Sequence, residues 1–434
     1  MPIKPPMQSN LYHETHARPY LTVSTPSVVG HVLFWKGGTH SKTLWHIAQS
    51  LIVQYYPVLT GTTAPFFEYE CASHRLRFEQ HTEFDTLTVT QPLRAIHGID
   101  QVNPLDLLDP AQLQACTQDL LVKTLVYVVP DVISHIGADH GAFEHPQLQA
   151  IMDPKYGAYV LEKRAAVFTD FDLDAKGFSR FVIANQSLND STVGRVVTRL
   201  LEIENYRIMA LIPLEAARSV SRSLAGMDAH LAQLLNQLTQ TSDEPVQREL
   251  LAQLLDIAKN IEHHRNQLSA RFNASQAYYD LVQFSYGKLY EENFGTLQRL
   301  QTFIERRLGP AIRTCTSVKL RLEDISQRVD RIAELLQTEI NLQIQVQNTA
   351  MLSGMHQSTR MQLKMQKTVE SISIVALTYY ALGVLGYLFA GIIPSEYKTS
   401  VMTILVIPIA GLIWHMQRKI IHQLHTSDDE SSQS

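Results

Sequence analysis

Two uncharged runs near the C-terminus dominate the hydrophobic pattern of the chain. Ser371 to Ile393 carries no charged side chain over 23 residues. As a helix it would extend roughly 35 Å, enough for a hydrocarbon core of about 30 Å. A polar turn at 394–399 follows, then a second uncharged run at 400–417 that holds Pro408 and Gly411 and should bend there. Lys364 and Lys367 precede the first run, and Arg418 and Lys419 follow the second. The positive-inside bias therefore places both ends of the hairpin in the cytosol and the turn outside, with 418–434 a cytosolic tail whose polar, acidic end, Thr426–Ser434, is expected to lack fixed structure. A buried hairpin inside a soluble core is the competing reading of the same pattern. Gly386 and Ala390, four apart with Gly383 nearby, allow close helix packing. No Asp, Glu, Lys or Arg stands inside either run, which counts against a proton relay.

Upstream, apolar residues recur at Val318, Leu322, Ile325, Val329, Ile332 and Leu336, in steps of four and three. This is a heptad seam on a long helix predicted over 310–370. It continues more loosely through Leu342, Val346 and a set of methionines. The seam fits an oligomerising coiled-coil stalk or a helix packed on its own neighbours, such as helices over Gln247–His264 and Phe272–Arg307. Before it, 189–309 reads as a helical domain. Ser191 to about Ile212 is apolar nearly all round, which marks a buried helix, and Glu204 with Arg207 is the internal ion pair that burial requires.

The first 188 residues change period. Leu76–Glu79 and Phe84–Val89 alternate as half-buried strands do, and Val28–Trp35 and Thr124–Val129 are β-rich. Ala165–Phe171 and Phe178–Ile183 read as a hairpin, and Ser41–Tyr56 as a capped helix. The fold class is thus α+β: a mixed α/β N-terminal domain, a long helical stalk and a C-terminal two-helix membrane hairpin.

Composition narrows the function classes. The chain is 45% hydrophobic and 18% charged with a net charge of −5, so no basic field favours nucleic acid. Cys71, Cys116 and Cys315 are too sparse for a disulfide framework or a zinc site and suit a reducing cytosol. The start lacks the apolar core of a signal peptide, so the soluble body is expected to stay in the cytosol. No phosphate loop, Gly-x-Gly-x-x-Gly or Gly-x-Ser-x-Gly is present, and no catalytic residue, cofactor or metal is expected. Asp170, Asp172 and Asp174 lack the glycine and glutamate positions of a calcium loop and read as a turn. His135, Asp139, His140, Glu144 and His145 read as a solvated loop. His13, Glu14, His16 and Arg18 stand within six residues. They can bind an anion, do acid–base work as in a hydrolase or other enzyme, or tie down the N-terminal segment by hydrogen bonds, the last being favoured.

His16-Ala17-Arg18-Pro19, His81-Thr82-Glu83-Phe84, Arg199 through Arg207, and Gln366 through Ser373 leading into Tyr379-Tyr380 and Gly386-Tyr387 occur in that order. Together they resemble the bacterial membrane-anchored proteins of domain of unknown function 3422, over nearly the whole chain. The resemblance implies a Gram-negative inner-membrane protein and carries no activity with it. The architecture is also similar to CorA-type magnesium channels, but their Gly-Met-Asn signature is replaced here by Gly391-Ile392-Ile393-Pro394. The expectation is a non-enzymatic scaffold or ligand- or partner-binding protein at the inner membrane, homo-oligomeric through 310–370. The alternative is a divergent CorA-like channel with Thr378 or Tyr380 as pore lining.

Overall fold

A computed structural model describes residues 20–37, 66–70, 73–107, 119–131, 143, 145–240, 243–388 and 395–431. Its strands are β1 (Ser27–Trp35), β2 (Phe66–Glu70), β3 (Arg75–Gln80), β4 (Phe84–Pro92), β5 (Leu120–Pro130), β6 (Tyr156–Val160), β7 (Ala165–Thr169), β8 (Ser179–Asn185) and β9 (Glu292–Asn293). Its α-helices are α1 (Pro146–Ile151), α2 (Asp190–Leu211), α3 (Leu214–Gln240), α4 (Glu244–Gly287), α5 (Leu300–Leu388) and α6 (Ser395–Ser431). The fold is mixed α+β, with an N-terminal sheet and a long C-terminal helix. The chain divides into two compact units, Met1–Ala333 and Glu334–Ser434.

In the first unit the described strands form one sheet in the order β2-β3-β4-β1-β5-β8-β7-β6-β9. All the ladders are antiparallel except β5 with β8, whose connection carries the β6–β7 hairpin. The alternation in β1 sends Val28, Val32 and Phe34 to one core, shared with Leu148 and Ile151 of α1. Val29 goes to the opposite core with Val193, Val197 and Leu200 of α2, Val282 of α4 and Leu300 and Ile304 of α5. Gly30 serves the first face: a Cβ there would lie 2.7 Å from Leu105 Cγ. Helix α2, just after the boundary expected at 188/189, shares the opposite core with the sheet.

Asn189 caps α2, its side-chain oxygen accepting from Thr192 N–H at 2.9 Å. Further on, α4 ends at Gly287, where a helix had been expected over Phe272–Arg307. Tyr290 and Gly295 there take φ of 50° and 49°, and the chain adds β9 to the sheet edge before α5 begins. The acidic loop after β7 is a turn closed by Asp174, whose carboxylate accepts from the N–H groups of Lys176 and Phe178 at 2.8 and 2.9 Å.

The heptad seam from Val318 to Leu336 is buried within the single chain. Arg321 and Arg328 of α5 both bind Asp228 of α3, at 2.6 and 2.9 Å, and Lys319 reaches Asn273 of α4 at 2.9 Å. Leu342, Val346, Met351 and Met355 are exposed, so the continuation of the seam, unlike its first part, is open.

In the second unit, two helical stretches are long and apolar enough to cross a membrane: one within α5, the other Thr399–Met416. Helix α6 starts at Ser395, inside the expected turn, because Pro394 precedes it and no Pro or Gly follows until Pro408. It also continues through the expected unstructured tail to Ser431, where again no Pro or Gly interrupts.

Candidate functional site

Register assembles a site that no single segment displays. Glu68, Arg77, Thr88, His31, Thr124 and Ser179 are successive cross-strand partners on β2, β3, β4, β1, β5 and β8. They form a polar row across the sheet face that α2 covers. Each lies on a strand whose neighbours are largely apolar, and burial forces the row to satisfy itself. The Thr124 and Ser179 hydroxyls lie 2.9 Å apart. Arg77, almost fully buried, donates to Glu79 at 2.9 Å and stands over the Phe66 ring.

At the centre, His31 Nε2 donates to Asn205 Oδ1 of α2 at 3.1 Å, and Nδ1 accepts from the Thr88 hydroxyl at 2.8 Å. Burial lowers its pKa to about 4, so the ring is neutral at neutral pH and both nitrogens are committed to structure.

Where α2 leaves this face uncovered, a cleft of about 200 Å³ opens, lined by Arg77, Glu79, Thr86, Glu202, Asn205 and Tyr206 among others. The Thr86 hydroxyl is buried without a partner among the described residues. Glu202 accepts from Ser285 Oγ at 3.2 Å, and burial raises its carboxyl above the ordinary range. The cleft thus offers hydroxyls, a carboxyl with a raised proton affinity and an amide. Those groups suit a small polar ligand held by hydrogen bonds. Beside it, Tyr206 stacks on Tyr278, whose hydroxyl donates to Glu83 at 2.6 Å, and Arg271 pairs with the same carboxylate at 2.9 Å.

Of the residues singled out from sequence, His13, Glu14, His16 and Arg18 lie outside the described residues, as do Ala390, the Ser41–Tyr56 helix and most of the 135–145 loop. Glu204 and Arg207 form a two-bonded pair at 3.0 and 2.6 Å, with the Glu204 side chain 3% exposed. Gly386 lies against Met402, since a Cβ there would stand 3.1 Å from its methyl carbon, whereas Gly383 faces open space. The Thr378 hydroxyl donates to Ile374 O of its own helix at 2.6 Å, and Tyr380 is exposed. Among the described residues no group of three His, Cys, Asp or Glu is placed to hold a metal.

His31, Arg77, Glu79, Thr86 and Thr88 were not singled out from sequence, and Glu202 and Asn205 stood there only within the Arg199–Arg207 segment of the family resemblance. The available signal was a run of polar residues, Thr86, Thr88 and Thr90, on the supposedly wet face of a strand. All three are buried.

A family model described as "Protein of unknown function (DUF3422)" matches residues 4–424. No curated protein matches the chain.

Proposed function

The chain belongs to the DUF3422 family, and on that premise we propose that it is a membrane-anchored ligand-binding protein with no reaction of its own. The hairpin 371–417 spans the bacterial inner membrane with both ends cytosolic. The cleft beside His31 takes up a small polar ligand. Copies associate through the exposed part of α5 beyond Ile340.

The observation that carries the anchor is the exposed apolar surface. Val375, Tyr379, Tyr387 and Leu388 on α5, and Ile404, Ile407 and Leu412 on α6, are exposed in the single chain. Contiguous apolar surface on that scale is not left in water. Core helices of soluble proteins hide such residues, and here almost none of either stretch is covered by the chain itself.

Two features support binding over turnover. The His31 ring spends both nitrogens on Thr88 and Asn205, so it is not free as a base. Burial pushes the Cys315 thiol up, away from the nucleophilic thiolate.

Alkaline extraction of membranes is the test. The full chain should remain in the pellet, and a chain carrying Val375→Arg with Ile407→Arg should shift to the supernatant, each arginine costing about 2.5–3.5 kcal/mol on insertion. Recovery of the unmodified chain in the high-speed supernatant without detergent would end the proposal.

A further inference from the structure

Next to the cleft, and sharing Tyr20 with it, a second and larger groove of about 820 Å³ opens on the first unit. Three guanidinium groups line it. Arg195 and Arg199 stand one turn apart on the same face of α2, and Arg164 enters from the start of β7. None forms an ion pair among the described residues. Arg195 donates to Thr192 Oγ1 at 2.8 Å, Arg199 to Lys288 O at 3.0 Å and Arg164 to Ser187 O at 2.9 Å. Each group is therefore steered by a neutral acceptor that uses part of its five donors and cancels none of its charge.

The carboxylates of the groove are mostly engaged elsewhere. Glu292 lies 3.7 Å from Lys163. Glu291 accepts the Gln301 N–H at the start of α5, and burial raises its carboxyl to about 7. Among the described residues Glu162, exposed at the rim, is the third carboxylate lining the groove, and Glu202, on α2 near Arg199, feels that arginine's charge. Three guanidinium groups lining one groove, each with donors left over, favour an anion there. One carboxylate satisfies a single guanidinium fork, whereas a tetrahedral phosphoryl group presents enough oxygens and charge for three. The groove, about 820 Å³, has room for a substituent on the phosphoryl group.

We propose that this groove binds a phosphate ester, with Arg164, Arg195 and Arg199 donating to its phosphoryl oxygens. The ester is a soluble metabolite or the headgroup of an anionic phospholipid. The inference goes beyond the cleft-binding function and does not depend on it.

The test is titration of inorganic pyrophosphate into the full chain in phosphatidylcholine nanodiscs, followed by calorimetry. Binding is expected, weakening with added salt, and falling on the order of tenfold or more in R164Q/R195Q, which keeps the Arg199–Lys288 contact. An unchanged urea midpoint in that variant separates lost binding from lost folding. Repeating the titration in nanodiscs containing phosphatidylglycerol distinguishes the sources: loss of pyrophosphate binding identifies the lipid headgroup, and unchanged binding identifies a soluble ester. Absence of pyrophosphate binding, or equal affinity in R164Q/R195Q, would overturn the proposal. A chain that proved soluble would be titrated in buffer, so failure of the membrane anchor leaves this test intact.

Discussion

Protonating His31 should destabilise the first unit by an amount its burial sets. The ring has an ordinary pKa of 6.5 and a folded value of about 4, and burial is the main cause. The Asn205 bond and the Glu79 charge act the other way and lose to desolvation. The depressed value means that the native state binds fewer protons than the unfolded chain between these two pH values. Stability therefore rises with pH across that window, is complete above about 6.5, and is lost as pH falls toward 4. At 1.36 kcal/mol per unit, the whole effect is about 3 kcal/mol, most of it gone by pH 4.5.

His31→Gln removes the titration and keeps a donor for Asn205. It should cost about 1–2 kcal/mol at pH 7.5 through the weakened Thr88 contact. That deficit should close, or reverse, as the pH approaches 4.5. Urea unfolding of both full-length proteins in micelles, followed by tryptophan fluorescence, reads the difference. Comparing wild type with variant subtracts the carboxylates that titrate in the same range. Parallel stability curves from pH 7.5 to 4.5 would refute the argument, because a buried neutral imidazole cannot leave the slope unchanged.

Glu291 has the opposite sign: burial raises it from 4.5 to about 7, so the native state binds more protons and stability falls as pH rises through that window. Glu291→Gln should gain up to about 3 kcal/mol at pH 8, seen as a higher urea midpoint, and nothing at pH 4. Arg207→Met leaves the Glu204 carboxylate buried alone and should lower stability by about 3–5 kcal/mol, with Glu204→Gln/Arg207→Met recovering part of it in the same assay. Gly194→Ala would put a Cβ 1.7 Å from Leu21 O. It should break the Val23–Asp190 backbone bond and cost about 1–3 kcal/mol, readable as faster proteolysis ahead of β1.

Much of the fold was legible in local pattern. The uncharged stretches, the heptad seam, the β1, β5 and β7–β8 strands and the Glu204–Arg207 pair all follow from spacing within one segment. The candidate site was hidden for a physical reason. Alternation along β3 and β4 shows which residues share a face, and water was assumed to cover the polar one. Helix α2, more than a hundred residues later, closes over the row at His31 and Thr88 instead, and Arg77 and Thr86 are buried in the wall of the cleft beside it.

Periodicity is a property of neighbours along the chain, and it was enough to determine helix, strand and the apolar stretches able to enter lipid. It also exposed the seam on α5. Whether that seam met a second copy or α3 and α4 was decided only when the chain folded back and Asp228 came to Arg321 and Arg328. The polar row through His31 and the three-arginine groove belong to the tertiary structure alone. Strand register and helix placement bring together residues far apart in sequence, and pairing between distant segments leaves no period for a single sequence to show.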